Sequence, residues 1–314
     1  LLFTFSSFFF LRWHTTRGAA FLLLLLSISL SGCSLPSQGS SSRQQATASL
    51  SLSTSTLLVD APTIQSTTAR PSTPTDTPTP QPTTTPTPLV CWSAGGQFEA
   101  GSLETDLLRQ PLDFRVYLPP CYAESPDQDY PVLYLIHGQS SNDDQWERLG
   151  AGNMTDELTT SGELPPYIIV MPRDRLWSEP TEDKFGQAVV ELLLPWIDAN
   201  HRTLPDRQYR AVGGLSRGGV WALHLGLTYP ELFSAVGMHS GFAFHTDAPY
   251  LRSILKSIPS DQLPHFYIDV ADNDRPDIYA SAVWFEAMLT EFNIPHDWHI
   301  FQGYHEETYW QAHV

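Results

Sequence analysis

Basic residues are scarce in this sequence. The 314 residues include 17 Lys and Arg against 34 Asp and Glu, which gives a formal net charge of −17. So acidic a chain repels the phosphate backbone of nucleic acids and the headgroups of anionic lipids, which argues against a nucleic-acid-binding protein. Glycine is also sparse, at 19 residues without a period of three, and this excludes a collagen-like chain.

The apolar run near the amino terminus, residues 19–30, is shorter than the ~20 residues that a membrane-spanning helix needs. It follows two arginines and ends in the sequence LSGC at 30–33, an order typical of a signal peptide. The LSGC sequence resembles the lipobox of bacterial lipoproteins, whose cysteine carries lipid. We therefore expect residues 1–33 to be a lipoprotein signal peptide, with an ordinary signal peptide as the alternative. Lipid on Cys33 would anchor the protein to the cell membrane on its extracytoplasmic side.

Residues 34–88 contain few residues that could build a core. Between Ala61 and Pro88, 8 residues are Pro and 11 are Thr. Such a segment buries too little apolar surface to offset the entropy lost on ordering. We interpret residues 34–88 as a disordered Ser/Thr/Pro-rich linker that holds the following domain, residues 89–314, away from a membrane. That domain carries the negative charge and is long enough for one core.

Cysteine is limited to three positions, Cys33, Cys91 and Cys121. No C-x-x-C sequence or Cys/His cluster has the spacing of a zinc site. His296 and His299 lie on a predicted strand, where a separation of three residues places them on opposite faces. We therefore expect no metal and no cofactor. If Cys33 carries lipid, the other two cysteines can pair in an oxidising compartment, so we predict a Cys91–Cys121 disulfide.

Short β-rich runs alternate with helical patterns along residues 89–314. Strands are predicted at 114–118, 132–136, 168–171, 209–212, 234–238, 266–270 and 296–301. Helices are predicted at about 182–200, 217–228 and 278–292. This alternation predicts an α/β fold with a mostly parallel central sheet and helices on both faces. In such sheets, functional sites form at the carboxyl ends of the strands.

A G-x-S-x-G sequence, made by Gly214, Ser216 and Gly218, lies between a predicted strand and a predicted helix. That setting is typical of a nucleophile elbow, a tight turn that needs small residues on either side of the serine. The elbow places the serine hydroxyl above the sheet, at a helix amino terminus that favours negative charge. The alternative is a glycine-rich loop whose serine caps the helix.

A serine nucleophile needs a base, and the base needs an orienting acid. His305 follows the last predicted strand. Asp272 and Asp274 follow the strand before it, whereas Asp269 lies inside that strand. Because these positions are at the carboxyl ends of neighbouring strands, they could meet Ser216 above one edge of the sheet. The sequence alone leaves Asp272 and Asp274 both open.

Residues 113–314 resemble the Putative esterase family of α/β-hydrolases. The family includes feruloyl and acetyl-xylan esterases, S-formylglutathione hydrolase, enterochelin-esterase-like enzymes and the antigen 85 mycolyltransferases. The resemblance lies in the segments 130–138, with the sequence YPVLYLIHG, 214–219, with GLSRGG, and 303–305, with GYH, followed by Tyr309 and Trp310.

The resemblance implies an α/β-hydrolase fold in which Ser216 is the nucleophile, His305 the base and Asp274 the acid. In the family the acid follows a G-x-x-D-like pattern. Ala271 takes the glycine position here, which points to Asp274 and leaves Asp272 as the alternative. No cofactor is implied.

The resemblance also implies an oxyanion hole built from the backbone N–H groups of Gln139 and Arg217. His137 precedes the nucleophile in the chain, so we expect it to be structural or to line the substrate site. The segment 143–146, with the sequence DDQW, could hold a sugar, or it could be an Asp-capped helix with a half-buried Trp. His239 is a further candidate for the pocket lining.

These observations predict a serine esterase that hydrolyses carboxylic esters, acylated sugars among them, through an acyl-enzyme intermediate. Two alternatives are an acyltransferase of the antigen 85 type and a non-catalytic surface binding protein on a hydrolase scaffold. The expected partners are a small-molecule or carbohydrate ester and, through the lipid anchor, a membrane.

Overall fold

A computed structural model describes residues 90–313 of the chain. The predicted signal peptide, the predicted lipid attachment at Cys33 and the predicted linker therefore lie outside the described residues. Within 90–313, no helix is both long and apolar enough to cross a bilayer.

One eight-stranded sheet organises the described residues. The strands are β1 Gln97–Leu103, β2 Leu112–Leu118, β3 Val132–Ile136, β4 Ile168–Pro172, β5 Arg210–Leu215, β6 Ala235–His239, β7 His265–Ala271 and β8 His296–Phe301. Their order in the sheet is β1-β2-β4-β3-β5-β6-β7-β8. Strands β3 to β8 run parallel, whereas β1 and β2 are antiparallel to their neighbours. The predicted mostly parallel sheet is confirmed.

Helices lie on both faces of this sheet. They are α1 Val90–Ala94, α2 Gln145–Arg148, α3 Ala151–Thr160, α4 Phe185–Ala188, α5 Leu194–Asn200, α6 Arg217–Thr228, α7 Leu251–Ser257, α8 Pro276–Glu291 and α9 Glu307–His313. Strand β3 shows why both faces must be covered. Its alternate residues point to opposite faces, so that Tyr134 packs with Trp221 in one core and Leu133 packs with Trp146 in the other.

The helix predicted at 182–200 is not continuous. The structure has α4, a π-helical turn over Val189–Leu193, and then α5. Pro195 lies in the first turn of α5 and has no N–H to donate to the preceding turn. The prediction of a single α-helix was therefore wrong at its centre. The helix also begins at Phe185 rather than near residue 182.

Strand β1 was not predicted from the sequence. It pairs with β2 at the edge of the sheet, and most of its side chains are exposed or half-buried. Gly101 sits at its centre because the ring of Phe114 on β2 fills the space that a Cβ atom would need. A polar edge strand that contains glycine lacks the apolar alternation by which a strand is predicted.

The predicted disulfide joins Cys91 and Cys121, whose Cα atoms are 5.0 Å apart. It connects α1, which precedes the edge strand β1, to the turn that follows β2. The covalent link therefore closes the antiparallel end of the domain, on the opposite side of the sheet from β8.

Candidate active site

Ser216 occupies a strained turn between β5 and α6. Its φ angle is 51°, a left-handed value that is unusual for a residue with a side chain. A Cβ atom added to Gly214 would lie 2.3 Å from the backbone of Gly218, and one added to Gly218 would lie 1.9 Å from the carbonyl oxygen of Ile136. Both glycines are needed because backbone atoms already occupy that space, and the turn lifts Ser216 above the sheet.

His305 contacts Ser216 and Asp274 at once. Its Nε2 lies 2.9 Å from the Oγ of Ser216, and its Nδ1 lies 2.8 Å from Oδ1 of Asp274. Ser216 follows β5, Asp274 follows β7 and His305 follows β8, so that loops at the carboxyl ends of three parallel strands meet at one point. Asp272 points elsewhere, since its Oδ1 accepts the N–H of Gly303.

The carboxylate of Asp274 is held by three hydrogen-bond donors. Besides His305, it accepts the hydroxyl of Ser240 at 2.7 Å and the N–H of Arg275 at 2.7 Å. Burial alone would raise the pKa of Asp274, but the hydrogen bonds to His305, Ser240 and Arg275 outweigh it and hold that pKa below its ordinary value. The carboxylate is therefore charged. Because Oδ1 of Asp274 can only accept a hydrogen bond, the proton of a neutral His305 ring must be on Nδ1. The free lone pair of Nε2 then faces the Ser216 hydroxyl.

A cleft of about 510 Å³ opens in front of Ser216. Its lining includes Gly138, Gln139, Ser216 and His305. Charged side chains from α2 and α9 complete its rim, so the cleft has both a polar floor and a polar edge.

The predicted oxyanion donors are the N–H of Gln139, which lines this cleft, and the N–H of Arg217, which follows the cleft residue Ser216. The N–H of Arg217 belongs to the first residue of α6 and has no acceptor inside the helix. The Nδ1–H of His137 donates to the carbonyl oxygen of Gly138 at 2.7 Å. Because the C=O and N–H of a trans peptide point in opposite directions, this bond orients the N–H of Gln139 away from His137. The geometry is compatible with the predicted oxyanion hole.

His137 itself is a structural residue. Its side chain is buried, and its Nε2 accepts the N–H of Asp174 at 3.0 Å. Burial lowers the pKa of His137, which keeps the ring neutral and able to accept at Nε2. The carboxylate of Asp174 in turn holds the side chains of Arg217 and Trp221. A hydrogen-bond network through His137 and Asp174 thus holds Arg217, the residue that follows Ser216 in the elbow.

The segment 143–146 does not present a sugar-stacking surface. Trp146 is 2% exposed, and its indole N–H donates to the carbonyl of Ile136. Asp143 pairs with Arg115 instead of facing the cleft. Nor does the side chain of Asp144 cap the helix that follows. Both interpretations of this segment were therefore wrong in part, because the ring of Trp146 is fully buried. It packs in the same core as Leu133.

His239 and Asp269 form a second buried pair under the site. The Nδ1 of His239 lies 2.6 Å from Oδ2 of Asp269, and the hydroxyl of Tyr309 donates to Oδ1 of Asp269 at 2.7 Å. Tyr309 belongs to α9, the helix that follows His305. Asp269 therefore anchors that helix to β7, a role that its position inside the strand did not reveal.

Ser240, Gln145 and Glu307 are site residues that sequence reasoning missed. Ser240 could have been suspected, because it follows β6 at the same edge of the sheet as Ser216. Gln145 lies in the segment 143–146, but no local signal marks its contact with Glu307, which joins residues 162 positions apart.

A serine on a strained strand-to-helix turn, facing a histidine and an aspartate at the carboxyl ends of parallel strands, is the arrangement of an α/β-hydrolase. Comparison with known proteins identifies the family within this class. The model of the Esterase family, described as Putative esterase, matches residues 105–314, and the chain belongs to that family.

Among curated proteins, the chain is 35% identical over 173 residues to an endo-1,4-beta-xylanase/feruloyl esterase of Xylanibacter ruminicola. The match covers 52% of this chain and 23% of that protein, so the chain spans about a quarter of its relative's length.

Among solved structures, a ferulic acid esterase aligns with a TM-score of 0.61 at 23% identity, covering 69% of this chain and 94% of that one. An S-formylglutathione hydrolase from Staphylococcus aureus aligns with a TM-score of 0.54 at 15% identity, covering 69% and 95%. These two likenesses concern the fold.

Proposed function

We propose that this chain is a serine esterase that hydrolyses carboxylic esters. The single observation that carries the proposal is the relay from Ser216 through His305 to Asp274, with hydrogen-bond distances of 2.9 and 2.8 Å. Membership of an esterase family supports it.

In the proposed reaction, His305 takes the proton of the Ser216 hydroxyl while Oγ attacks the ester carbonyl carbon. The N–H groups of Gln139 and Arg217 stabilise the developing oxyanion, and Asp274 stabilises the imidazolium. His305 then gives the proton to the leaving alkoxide, and an alcohol departs. Water, deprotonated by the same histidine, releases the carboxylic acid from the acyl-serine and restores the hydroxyl.

For the substrate, we propose esters of hydroxycinnamic or small acyl groups with carbohydrates. The feruloyl esterase among the relatives supports this class. A second cleft, of about 470 Å³, shares Gln139, Ser140 and Ser141 with the first and contains Trp177, whose side chain is 64% exposed. An exposed indole next to a polar cleft suits a sugar or a phenolic ring.

For the location, we propose an extracytoplasmic, lipid-anchored protein. The disulfide between Cys91 and Cys121 supports an oxidising compartment. Labelling of cells with a lipid precursor, followed by comparison with a Cys33→Ala variant, tests the anchor. Loss of label in that variant is expected, and equal absence of label in both proteins would overturn it.

Ser216→Ala tests the reaction. We expect turnover of p-nitrophenyl acetate to fall by at least about 10³-fold, because the variant lacks the attacking oxygen. Ser260→Ala, at an exposed position before the amino end of β7, is a control for nonspecific effects. Equal turnover by Ser216→Ala and the unaltered protein would overturn the proposal. A panel of acetylated and feruloylated sugars then identifies the acyl and alcohol groups.

A further inference from the structure

Gln145 bridges two loops that border the site. Its side chain is 4% exposed. Its Oε1 accepts the N–H of Gly138 at 2.8 Å, and its Nε2 donates to Oε1 of Glu307 at 3.0 Å. An amide can accept at one end and donate at the other, whereas a carboxylate only accepts and an ammonium only donates. The two partners thus fix the orientation of the amide.

At the Gly138 end, Gln145 acts on the oxyanion loop, which we define as residues 137–141. The bond from Gly138 fixes the peptide that precedes this glycine, and the bond from His137 fixes the peptide that follows it. The N–H of Gln139 belongs to the second of these peptides. The direction of the Gln139 N–H therefore depends on both hydrogen bonds, the one that Gly138 donates to Gln145 and the one that Gly138 accepts from His137.

At the other end, Glu307 begins α9, two residues after His305. Glu307 also accepts a hydrogen bond from Arg148 at 3.1 Å. Arg148 donates a second one, at 3.1 Å, to the hydroxyl of Ser141 in the oxyanion loop. The hydrogen bond from Arg148 holds the pKa of Glu307 below its ordinary value, so the carboxylate is charged and accepts from both donors. A buried link and an exposed link thus run in parallel between the two loops.

We propose that Gln145 is a positioning residue that couples the oxyanion loop to the His305 loop, residues 302–306, so that the oxyanion donor and the base are in place together. The proposal rests on the proposed esterase function. Neither loop has regular secondary structure, and the bridge reaches the His305 loop through Glu307, the residue that follows it, at a site where a displacement of about 1 Å can cost about 10²-fold in rate.

A reciprocal exchange tests the coupling. Gln145→Glu keeps an acceptor for Gly138 but sets a second carboxylate against Glu307. We expect kcat for p-nitrophenyl acetate to fall by about 10- to 100-fold, with KM changed by less than about twofold, because the interactions lost matter in the transition state. The double variant Q145E/E307Q again offers one acceptor and one donor, and we expect kcat to return to within about threefold of the starting value.

Thr155→Val is the matched control, since it also removes a buried side-chain hydrogen bond, to Tyr167, away from the cleft. We expect it to lower the melting temperature without lowering kcat. If Gln145→Glu keeps full kcat, or if the exchange restores the melting temperature but not kcat, the coupling is overturned. If the unaltered protein hydrolyses no ester, the proposed function fails first, a result distinct from an active protein that tolerates Gln145→Glu.

Discussion

The hydroxyl of Ser240 lies 2.7 Å from Oδ2 of Asp274, while Oδ1 of the same carboxylate faces His305. Ser240 is fully buried, and its own N–H donates to the carbonyl of Asp269 on β7. The serine is therefore fixed by the neighbouring strand and in turn fixes the plane of the carboxylate. The orientation of the imidazole depends on this serine even though the two do not touch.

Ser240→Ala removes this support. We expect kcat to fall by about 3- to 30-fold, because a carboxylate bonded at one oxygen can rotate and hold His305 less well. Ester hydrolysis at saturating substrate measures the change. Ser234→Ala is the control, since Ser234 precedes the same strand at its other end. Equal kcat for Ser240→Ala and Ser234→Ala would contradict the assigned role.

Asp274→Asn and Asp272→Asn distinguish the two candidate acids. An amide at position 274 cannot stabilise the imidazolium and can force the wrong tautomer on His305. We expect a loss of about 10³- to 10⁴-fold in kcat. Asp272→Asn keeps an oxygen for the N–H of Gly303, and we expect less than a threefold change, roughly the limit for a surface substitution outside the relay. The opposite ranking in a steady-state assay would transfer the acid role to Asp272.

The double variant Cys91→Ser/Cys121→Ser tests what the disulfide contributes. In the chain-entropy model, a crosslink that closes a loop of 30 residues stabilises the fold by roughly 3.6 kcal/mol. We expect a lower urea midpoint with little change in kcat, because the crosslink lies at the antiparallel end of the sheet. A reductant should shift the unaltered protein in the same direction. An unchanged midpoint would show that the link does not stabilise the domain.

Asp183 makes stability depend on pH. Burial, together with the nearby charge of Asp174, raises the pKa of Asp183 to about 6. Between pH ~4 and ~6 the folded state holds a proton that the unfolded state has released, so this carboxyl costs stability as the pH rises through that window.

Asp183→Asn removes the titration while keeping an oxygen for the N–H of Phe185. We expect the variant to gain about 1–2 kcal/mol over the unaltered protein at pH 8 and about half as much at pH 5. Urea denaturation at the two pH values measures the difference. A gain that is equal at both would show that Asp183 does not titrate in this range.

Local patterns were sufficient to predict the parallel strands from the sequence. Strand β3 is apolar at every position because both of its faces are covered, and residues 132–136 were predicted without error. The elbow was equally visible, since a tight turn restricts the residues around Ser216. By contrast, β1 is a polar edge strand, and the π turn before α5 depends on a single proline.

The sequence predicts those parts of the site that depend on the order of strands and loops along the chain. Ser216 and His305 each follow a predicted strand, and this is a property of the sequence. The choice between Asp272 and Asp274 depends on a turn of three residues after β7, where the side chain that reaches His305 is decided by backbone direction. Gln145 and Glu307 could not be found, because a contact across 162 residues has no local pattern.

Every group assigned to the chemistry follows the carboxyl end of a parallel strand. The segments that precede these strands lie at the opposite end of the strands. The exposed segment 259–262 precedes β7 on that far side. A fluorophore, affinity tag or solid support attached at Ser260 would therefore leave the cleft open, and the domain could be immobilised in a single orientation with Ser216 facing the bulk solution.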